Sequence, residues 1–159
     1  LPPGFSLDQE MLEKAYRDIQ SQVHPDRFAR AGDAERRASL QWTTRVNEAY
    51  RTLKSPVQRG KHLLDLHGVD VAFETNTAMP TEFLMQQMEL REKLEEAKDA
   101  KALDDLRKDL SSERRSLEAP IARAIDSARN YKGAADLVRK LMFLERLDEE
   151  IDSAYEALE

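Results

Sequence analysis

The chain has 159 residues, 40% of them hydrophobic and 35% charged, a balance typical of helical folds, and its few glycines and aromatic residues argue against a β-sandwich or barrel. The absence of cysteine excludes disulfides, thiolate zinc sites and cysteine-held iron–sulfur clusters within the chain, no apolar run approaches the roughly 20 residues of a membrane helix, and no basic-then-apolar leader precedes Leu1. The net charge of −6 divides into +2 over residues 1–69 (11 Lys and Arg, 9 Asp and Glu) and −8 over residues 70–159 (14 and 22), which indicates two domains with different partners unless it only reflects drift between solvated helix faces.

The first predicted helix begins after residues that suit a helix start. Ser6 and Gln9 can form a capping box, or Asp8 can cap the helix alone. Apolar residues then recur at helical spacing as far as Val23. The helix is expected to end there, because Pro25 restricts the residue before it to non-helical conformations.

A second helix is predicted after Asp33, a good capping residue. Its expected apolar stripe consists of Trp42, Val46, Ala49, Tyr50 and Leu53. The connection of about ten residues favours an antiparallel hairpin with the first helix. Ser55 and Pro56 start a third, shorter helix, and Gly68 is expected to stop it.

Residues 70–80 lack helical periodicity and are predicted to be a linker between a domain at 1–69 and a domain at 81–159. Three helices with short connections are predicted in the second domain, which makes it a three-helix bundle. The first ends near Lys98 and the second near Gly133, with a kink or break at Pro120. The predicted fold is therefore all-α.

The helix that starts at Thr81 has two apolar faces. At about 100° per residue, one sector holds the expected core stripe, formed by Phe83, Leu90, Leu94 and Ala97. The opposite sector holds an apolar patch followed by acidic residues: Leu84, Met85, Met88, Glu89, Glu92 and Glu96. Methionines make such a patch adaptable and suited to protein binding. The alternative is that both faces are buried, one of them against the first domain. Phe143, on the third helix, either joins this patch or packs at the edge of the bundle.

The tripeptide His24-Pro25-Asp26, which we call the HPD turn, lies between the first two helices. Proline restricts the turn, and an exposed carboxylate can accept hydrogen bonds from a partner's arginine. Basic residues surround it in the sequence, namely Lys14, Arg17, Arg27 and Arg30. Turn preferences alone favour an ordinary helix stop in which Asp26 caps the next segment. A catalytic His–Asp pair is a weaker alternative, because no nucleophile is placed beside it.

The context of this turn resembles the J-domain family, the co-chaperones of DnaK-like heat-shock ATPases. The matching segments are residues 16–28 (YRDIQSQVHPDRF) and 47–53 (NEAYRTL). The resemblance implies that the HPD turn docks on the ATPase and stimulates ATP hydrolysis, with support from Lys14, Arg17 and Arg27. The short first helix of the family is missing, since residues 1–5 leave no room for it.

Three further segments narrow the resemblance to the HscB family, the J-type co-chaperones of iron–sulfur cluster assembly. They are residues 63–69 (LLDLHGV), 81–94 (TEFLMQQMELREKL) and 139–147 (RKLMFLERL). The resemblance implies that the second domain binds the iron–sulfur scaffold protein and delivers it to the specialised chaperone. The positions that match the family's scaffold-binding face are Leu84, Met85, Met88, Glu89, Glu92, Glu96 and Phe143.

The remaining polar groups do not predict a catalytic or metal site. His62 and His67 are five residues apart, whereas a shared metal on a helix face prefers a spacing of four. The acidic groups around Asp104 and Asp148 are interpreted as solvated helix faces. Basic residues are interleaved with acids in an acidic protein, which argues against nucleic-acid binding.

The sequence thus predicts a co-chaperone that is not an enzyme and needs no cofactor. Its expected location is the bacterial cytoplasm rather than the mitochondrial matrix, because the cysteine-rich metal site common in the family's eukaryotic branch is absent. Two alternatives remain: a J-domain protein with a different client, and a helical adaptor that contacts no ATPase.

Overall fold

A computed structural model describes residues 4–71 and 80–159, which are helical and contain no strand. This confirms the predicted all-α class. The chain divides into two compact units, Leu1–Leu63 (unit 1) and Leu64–Glu159 (unit 2). Most of the predicted linker, residues 72–79, lies outside the described residues, so the division at 70–80 stays a prediction.

Unit 1 is built on two long helices, α1 (Gln9–Val23) and α2 (Asp33–Lys54), which pack against each other. Asp8 caps α1 alone: its Oδ1 accepts the backbone N–H of Glu10 at 2.9 Å and of Met11 at 3.4 Å. The helix ends at Val23, as the proline two residues later predicted. The hairpin formed by α1 and α2 is also confirmed.

The predicted cap of α2 is wrong. Gly32 occupies the N-cap position and makes no side-chain cap bond, while Asp33 is the first residue inside the helix. The Asp33 carboxylate instead pairs with Arg36 one turn later. Its negative charge still favours the helix start, because the free N–H groups of the first turn carry partial positive charge.

The apolar stripe of α2 runs along a different line from the one predicted. Trp42 is 56% exposed, whereas Ser39 is 4% exposed and faces α1 through a hydrogen bond to Val23. Thr43 bonds to the same carbonyl one turn further on. The buried line of α2 therefore begins with two hydroxyl residues, and a count of apolar positions could not find it.

A buried arginine fixes the segment that precedes α1. Phe5 is buried, and the Arg59 guanidinium lies 4.7 Å from the centre of its ring. Arg59 Nε donates to the Phe5 carbonyl at 2.7 Å, and a terminal guanidinium nitrogen donates to the Leu53 carbonyl at 2.6 Å. These bonds explain why an arginine is tolerated at 6% exposure.

Helix α3 (Pro56–Leu66) starts at a serine cap and ends at a glycine, as predicted. Ser55 Oγ accepts the Gln58 N–H at 3.2 Å. At the other end, Gly68 has a φ of 75°, the Val69 N–H donates to the Leu64 carbonyl at 2.9 Å, and the Gly68 N–H donates to the Asp65 carbonyl at 3.0 Å. This is the bond pattern of a Schellman cap.

Unit 2 contains helices α4 (Thr81–Glu96), α5 (Ala100–Ala122) and α6 (Tyr131–Ala157), which confirms the three-helix bundle. Their core includes one residue of α4, three of α5 and three of α6: Leu90, Leu103, Leu106, Leu110, Leu144, Leu147 and Ile151. Leu94 and Ala97 pack against this cluster, as their place in the predicted core stripe requires.

Two predicted features of the α5–α6 region are wrong. Pro120 does not break α5, which continues to Ala122 and passes into a π-helical segment, Arg123–Ser127. Ile121 and Ile125 are buried there. Burying two such side chains contributes roughly 1.5–3 kcal/mol each, enough to offset the roughly 3 kcal/mol cost of a helical proline.

The second error concerns the stop at Gly133. The chain reverses at Arg129, with a φ of 52°, and Asn130 caps α6 by accepting the Gly133 N–H on its Oδ1 at 3.1 Å. Gly133 therefore lies in the first turn of α6. A Cβ at this position would lie 2.4 Å from Asn130 Nδ2, so the glycine serves the cap rather than a stop.

Candidate docking sites

The HPD turn is a single turn of 3-10 helix, Pro25–Phe28, capped by the histidine that precedes it. His24 Nδ1 accepts the backbone N–H of Asp26 at 3.2 Å, and the Arg27 N–H donates to the His24 carbonyl at 3.0 Å. The interpretation of this segment as a helix stop capped by Asp26 is therefore wrong, because His24 supplies the cap.

The two functional side chains of the turn differ in their surroundings. The Asp26 side chain is 94% exposed, and its Oδ2 lies 3.6 Å from His24 Nδ1. The His24 side chain is 46% exposed and spends its Nδ1 lone pair on the cap. The arrangement presents a carboxylate to solvent on a turn whose backbone is held by hydrogen bonds, which suits recognition by a cationic partner group.

The basic residues predicted to support the turn are all exposed. Lys14 and Arg17 lie one turn apart on α1, and Arg27 lies within the 3-10 turn. Arg17 precedes His24 by two helical turns, a distance of roughly 10 Å along the axis. The positive charges thus extend from the turn along α1.

Polar contacts that the sequence did not predict lock α1 to α2. The Tyr16 hydroxyl donates to Asn47 Oδ1 at 2.6 Å, and the Tyr50 hydroxyl donates to Glu13 Oε1 at 2.5 Å. The rings of Tyr16 and Tyr50 stack with their centres 4.0 Å apart. Residues 47–53 were noticed only for their family resemblance, and the structure gives Asn47 and Tyr50 a physical role in the hairpin.

The second face of α4 is exposed, as the patch hypothesis requires. Leu84, Met85 and Met88 are 43%, 58% and 67% exposed, whereas Phe83 and Leu90 on the opposite face are buried. The acidic residues that continue this face are exposed as well, namely Glu89, Glu92 and Glu96. The face therefore presents adaptable apolar side chains beside negative charge.

Phe143 packs at the edge of the bundle, on the α6 side. Its ring meets Phe83 edge-on at 5.8 Å, and the Arg91 guanidinium lies 5.5 Å from the ring centre. It also lines a groove of about 270 Å³ between α4 and α6, together with Gln87, Arg91, Arg139, Met142 and Arg146. Phe143 is thus both part of the packing and accessible from this groove.

The acidic groups of α5 and α6 are not merely solvated. Arg107 pairs with Asp148 at 3.1 Å and with Asp152, and the Tyr155 hydroxyl donates to Asp104. The bond to Asp152 raises the pKa of Arg107, and the bond to Asp104 raises the pKa of Tyr155. The interpretation of these acids as solvated faces is therefore incomplete, because several of them join α5 to α6.

Two chemical features are absent from the described part of the chain. Within residues 4–71 and 80–159, no three His, Asp or Glu side chains are grouped so that they could hold a metal ion. Over the same residues, no helix combines the length and the apolar character needed to cross a membrane.

Comparison with known proteins gives consistent results over the whole chain. A family model described as the HSCB C-terminal oligomerisation domain matches residues 79–152. A "Co-chaperone protein HscB homolog" from Burkholderia mallei (strain SAVP1) is 54% identical over 162 aligned positions, covering 100% of this chain and 92% of the relative. A protein of the same name from Azoarcus sp. (strain BH72) is 50% identical with the same coverage.

Solved structures agree with these relatives. Chaperone HscB from Vibrio cholerae superposes with a TM-score of 0.81 at 35% identity, covering 100% of this chain and 95% of that one. The crystal structure of human co-chaperone protein HscB superposes with a TM-score of 0.89 at 28% identity, covering 97% and 78%. The similarity in fold therefore extends over both units.

Proposed function

The chain belongs to the HscB family of co-chaperones, and from this membership we propose that it stimulates the ATPase of a specialised DnaK-like heat-shock chaperone. It delivers the iron–sulfur cluster scaffold protein to that chaperone and so aids cluster transfer and the maturation of iron–sulfur proteins. The chain performs no covalent chemistry in this scheme, since ATP hydrolysis takes place on the partner. The proposed location is the bacterial cytoplasm, in keeping with the bacterial relatives.

The exposed Asp26 carboxylate is the single observation that carries the first half of this proposal. Its backbone is fixed by the His24 cap, so little conformational entropy remains to be lost when a partner binds. A partner arginine would form charge-assisted hydrogen bonds with the 94% exposed side chain. We assign His24 to holding the turn, Pro25 to restricting it and Asp26 to contacting the ATPase.

Lys14, Arg17 and Arg27 have a supporting role in this proposal. Exposed charges on one side of a docking element mainly accelerate encounter with a surface of opposite charge, and salt screens them. We therefore assign these three residues to an acidic surface of the ATPase. Their contribution is expected to fall as ionic strength rises, whereas the contact of Asp26 depends less on salt once it is desolvated.

The exposed face of α4 supports the second half of the proposal. Leu84, Met85 and Met88 supply apolar surface that is lost from water when a partner covers it. Glu89, Glu92 and Glu96 lie along the same face and favour a basic border on the scaffold protein. Phe143 is assigned to the same site because it lines the neighbouring groove.

The decisive experiment measures ATP turnover by the partner chaperone with wild type and with Asp26→Ala. The substitution keeps the backbone N–H that His24 accepts, so the cap survives while the carboxylate is lost. We expect stimulation to fall to the basal rate of the chaperone. Asp18→Ala, which removes another exposed carboxylate from α1, is the matched control and should stimulate normally. If Asp26→Ala stimulates as well as wild type, the docking role is wrong.

A further inference from the structure

The carbonyl of Val23 immediately precedes the HPD turn and is held from α2. Val23 is the last residue of α1, so no N–H within that helix is available to its carbonyl. Two hydroxyls on α2 take that place: Ser39 Oγ donates to it at 2.5 Å and Thr43 Oγ1 at 3.2 Å. Ser39 is 4% exposed and Thr43 is half-buried, so water competes weakly for these bonds.

The peptide unit between Val23 and His24 is bound at both ends. On the other side of the same plane, the His24 N–H donates to the Gln20 carbonyl at 2.9 Å. A peptide unit is planar, so fixing its oxygen and its hydrogen fixes the orientation at which the chain enters His24. From there the His24 ring accepts the Asp26 N–H, and the His24 carbonyl accepts the Arg27 N–H. An unbroken series of hydrogen bonds therefore connects α2 to the turn.

We infer that Ser39 and Thr43 are positioning residues, which set the orientation of the HPD turn for docking on the ATPase. This inference rests on the proposed function. Ser39 and Thr43 contact no partner themselves and act through Val23 and His24. Without their hydroxyls, the Val23 carbonyl loses its donors and the turn samples orientations in which Asp26 does not meet the partner.

The hairpin itself does not depend on these two hydroxyls. Tyr16 bonds to Asn47 and Tyr50 bonds to Glu13, two turns or more away from Val23 along α1. The stacked rings of Tyr16 and Tyr50 add to the same contact. Loss of the hydroxyls should therefore loosen the turn while α1 and α2 stay together, which separates a positioning role from a merely structural one.

Thr43→Val is the cleanest substitution, because valine keeps the shape and removes only the hydroxyl. Thr44→Val is its matched control: Thr44 is the next residue on the same helix, is exposed, and donates within α2 to the Leu40 carbonyl at 3.1 Å. Ser39→Ala combined with Thr43→Val removes both donors, and Thr43→Ser keeps one while removing a methyl group.

The first measurement is ATP turnover by the DnaK-like chaperone as the concentration of co-chaperone is varied. For the double variant we expect the half-saturating concentration to rise roughly tenfold, as it would if the competent orientation fell to about a tenth of the population. Maximal stimulation should be retained at saturation, because Asp26 is still present. Thr43→Val should show a smaller rise, while Thr43→Ser and Thr44→Val should match wild type.

The second measurement needs no partner and follows hydrogen exchange of the His24 and Arg27 amides. We expect both to exchange several-fold faster in Thr43→Val, with exchange at Tyr16 unchanged, because only the turn loosens. An unchanged half-saturating concentration and unchanged exchange at His24 in Thr43→Val would overturn the inference, even if the double variant failed to fold. Absence of stimulation by wild type would instead refute the proposed function, so the two failures are distinguishable.

Discussion

His24 and Asp26 have separate tasks within one turn. The histidine ring bonds to the backbone of the turn, and the aspartate carboxylate remains exposed to a partner. The sequence predicted which residues form the turn but assigned the cap to Asp26. Cap assignment depends on which side chain reaches a free N–H, and this follows from the φ and ψ of His24, which its residue type does not specify.

Tyr50 gives the hairpin a measurable response to alkaline pH. Its hydroxyl donates to Glu13, and this bond, together with burial, raises the pKa of Tyr50 above 10.0, although Lys54 partly opposes the shift. A raised pKa in the folded state means that the stabilisation is complete below the unfolded pKa and is lost as pH rises through the folded one.

We therefore expect Tyr50→Phe to lose less stability than wild type between about pH 8 and about pH 11, the range in which tyrosine ionises. Denaturant midpoints measured across this range provide the test. Tyr155 also has a raised pKa, owing to its bond to Asp104, so Tyr50→Phe should reduce the alkaline loss without abolishing it. Equal losses in Tyr50→Phe and wild type would contradict the expectation.

At the scale of elements, helix ends were predictable where the backbone itself is restricted. Pro25 located the end of α1 and Gly68 the end of α3, because proline and glycine limit or extend φ whatever surrounds them. The sequence failed at Gly133, where the reversal uses Arg129 in a left-handed conformation. Only packing on both sides holds a non-glycine residue there, and local sequence does not reveal it.

Gly68→Ala tests the backbone origin of the α3 stop. A Cβ at Gly68 meets no atom within 4 Å, so the only penalty is the φ of 75°. We expect a loss of about 1–2 kcal/mol in the free energy of unfolding, the usual cost of a left-handed conformation for a residue with a Cβ.

Gly32→Ala is the control for this substitution. Gly32 also has open space around its Cβ position, but its φ of −67° suits any residue. We expect its stability to change by less than about 0.5 kcal/mol, since a lost N-cap preference opposes a smaller unfolded-state entropy. Denaturant unfolding of the two variants should differ; equal effects would show that the conformation of Gly68 costs alanine nothing.

At the scale of the whole molecule, the proposed functions lie on different units and should be separable. The triple variant Leu84→Ala, Met85→Ala and Met88→Ala removes exposed side chains, so the fold should be little affected. We expect its affinity for the scaffold protein to fall at least about tenfold, since apolar anchors dominate such interfaces. Its stimulation of the ATPase without scaffold should be unchanged, while Asp26→Ala should show the reverse pattern.

Calorimetry with the scaffold and turnover assays with the chaperone measure the two activities separately. Leu158→Ala, which removes an exposed leucine at the end of α6, is the matched control for lost apolar surface. Unchanged scaffold affinity in the triple variant would show that this face of α4 is not the site. Reduced ATPase stimulation in the same variant would show that the two activities are not separable.

Much of the candidate site could be predicted because its chemistry is local. The HPD turn is three consecutive residues, and the α4 patch follows from helical periodicity alone. Ser39, Thr43 and Asn47 could not be found in this way. Each acts through a contact with α1 across a separation of 16 to 31 residues, and a hydroxyl or amide on a helix has no pattern that announces such a partner.

The end of α3 has a consequence for exchanging parts between relatives. Leu64 to Val71 belong to unit 2: the His67 and Tyr131 rings stack at 4.0 Å, and Arg139 Nε donates to the Val71 carbonyl at 3.0 Å. A chimera joined within 70–80 would separate Leu64, Val71 and His67 from the α6 residues of their own parent. Joined between Leu63 and Leu64, the graft would carry these coevolving neighbours together, with the crossover inside a helix where register is kept residue for residue.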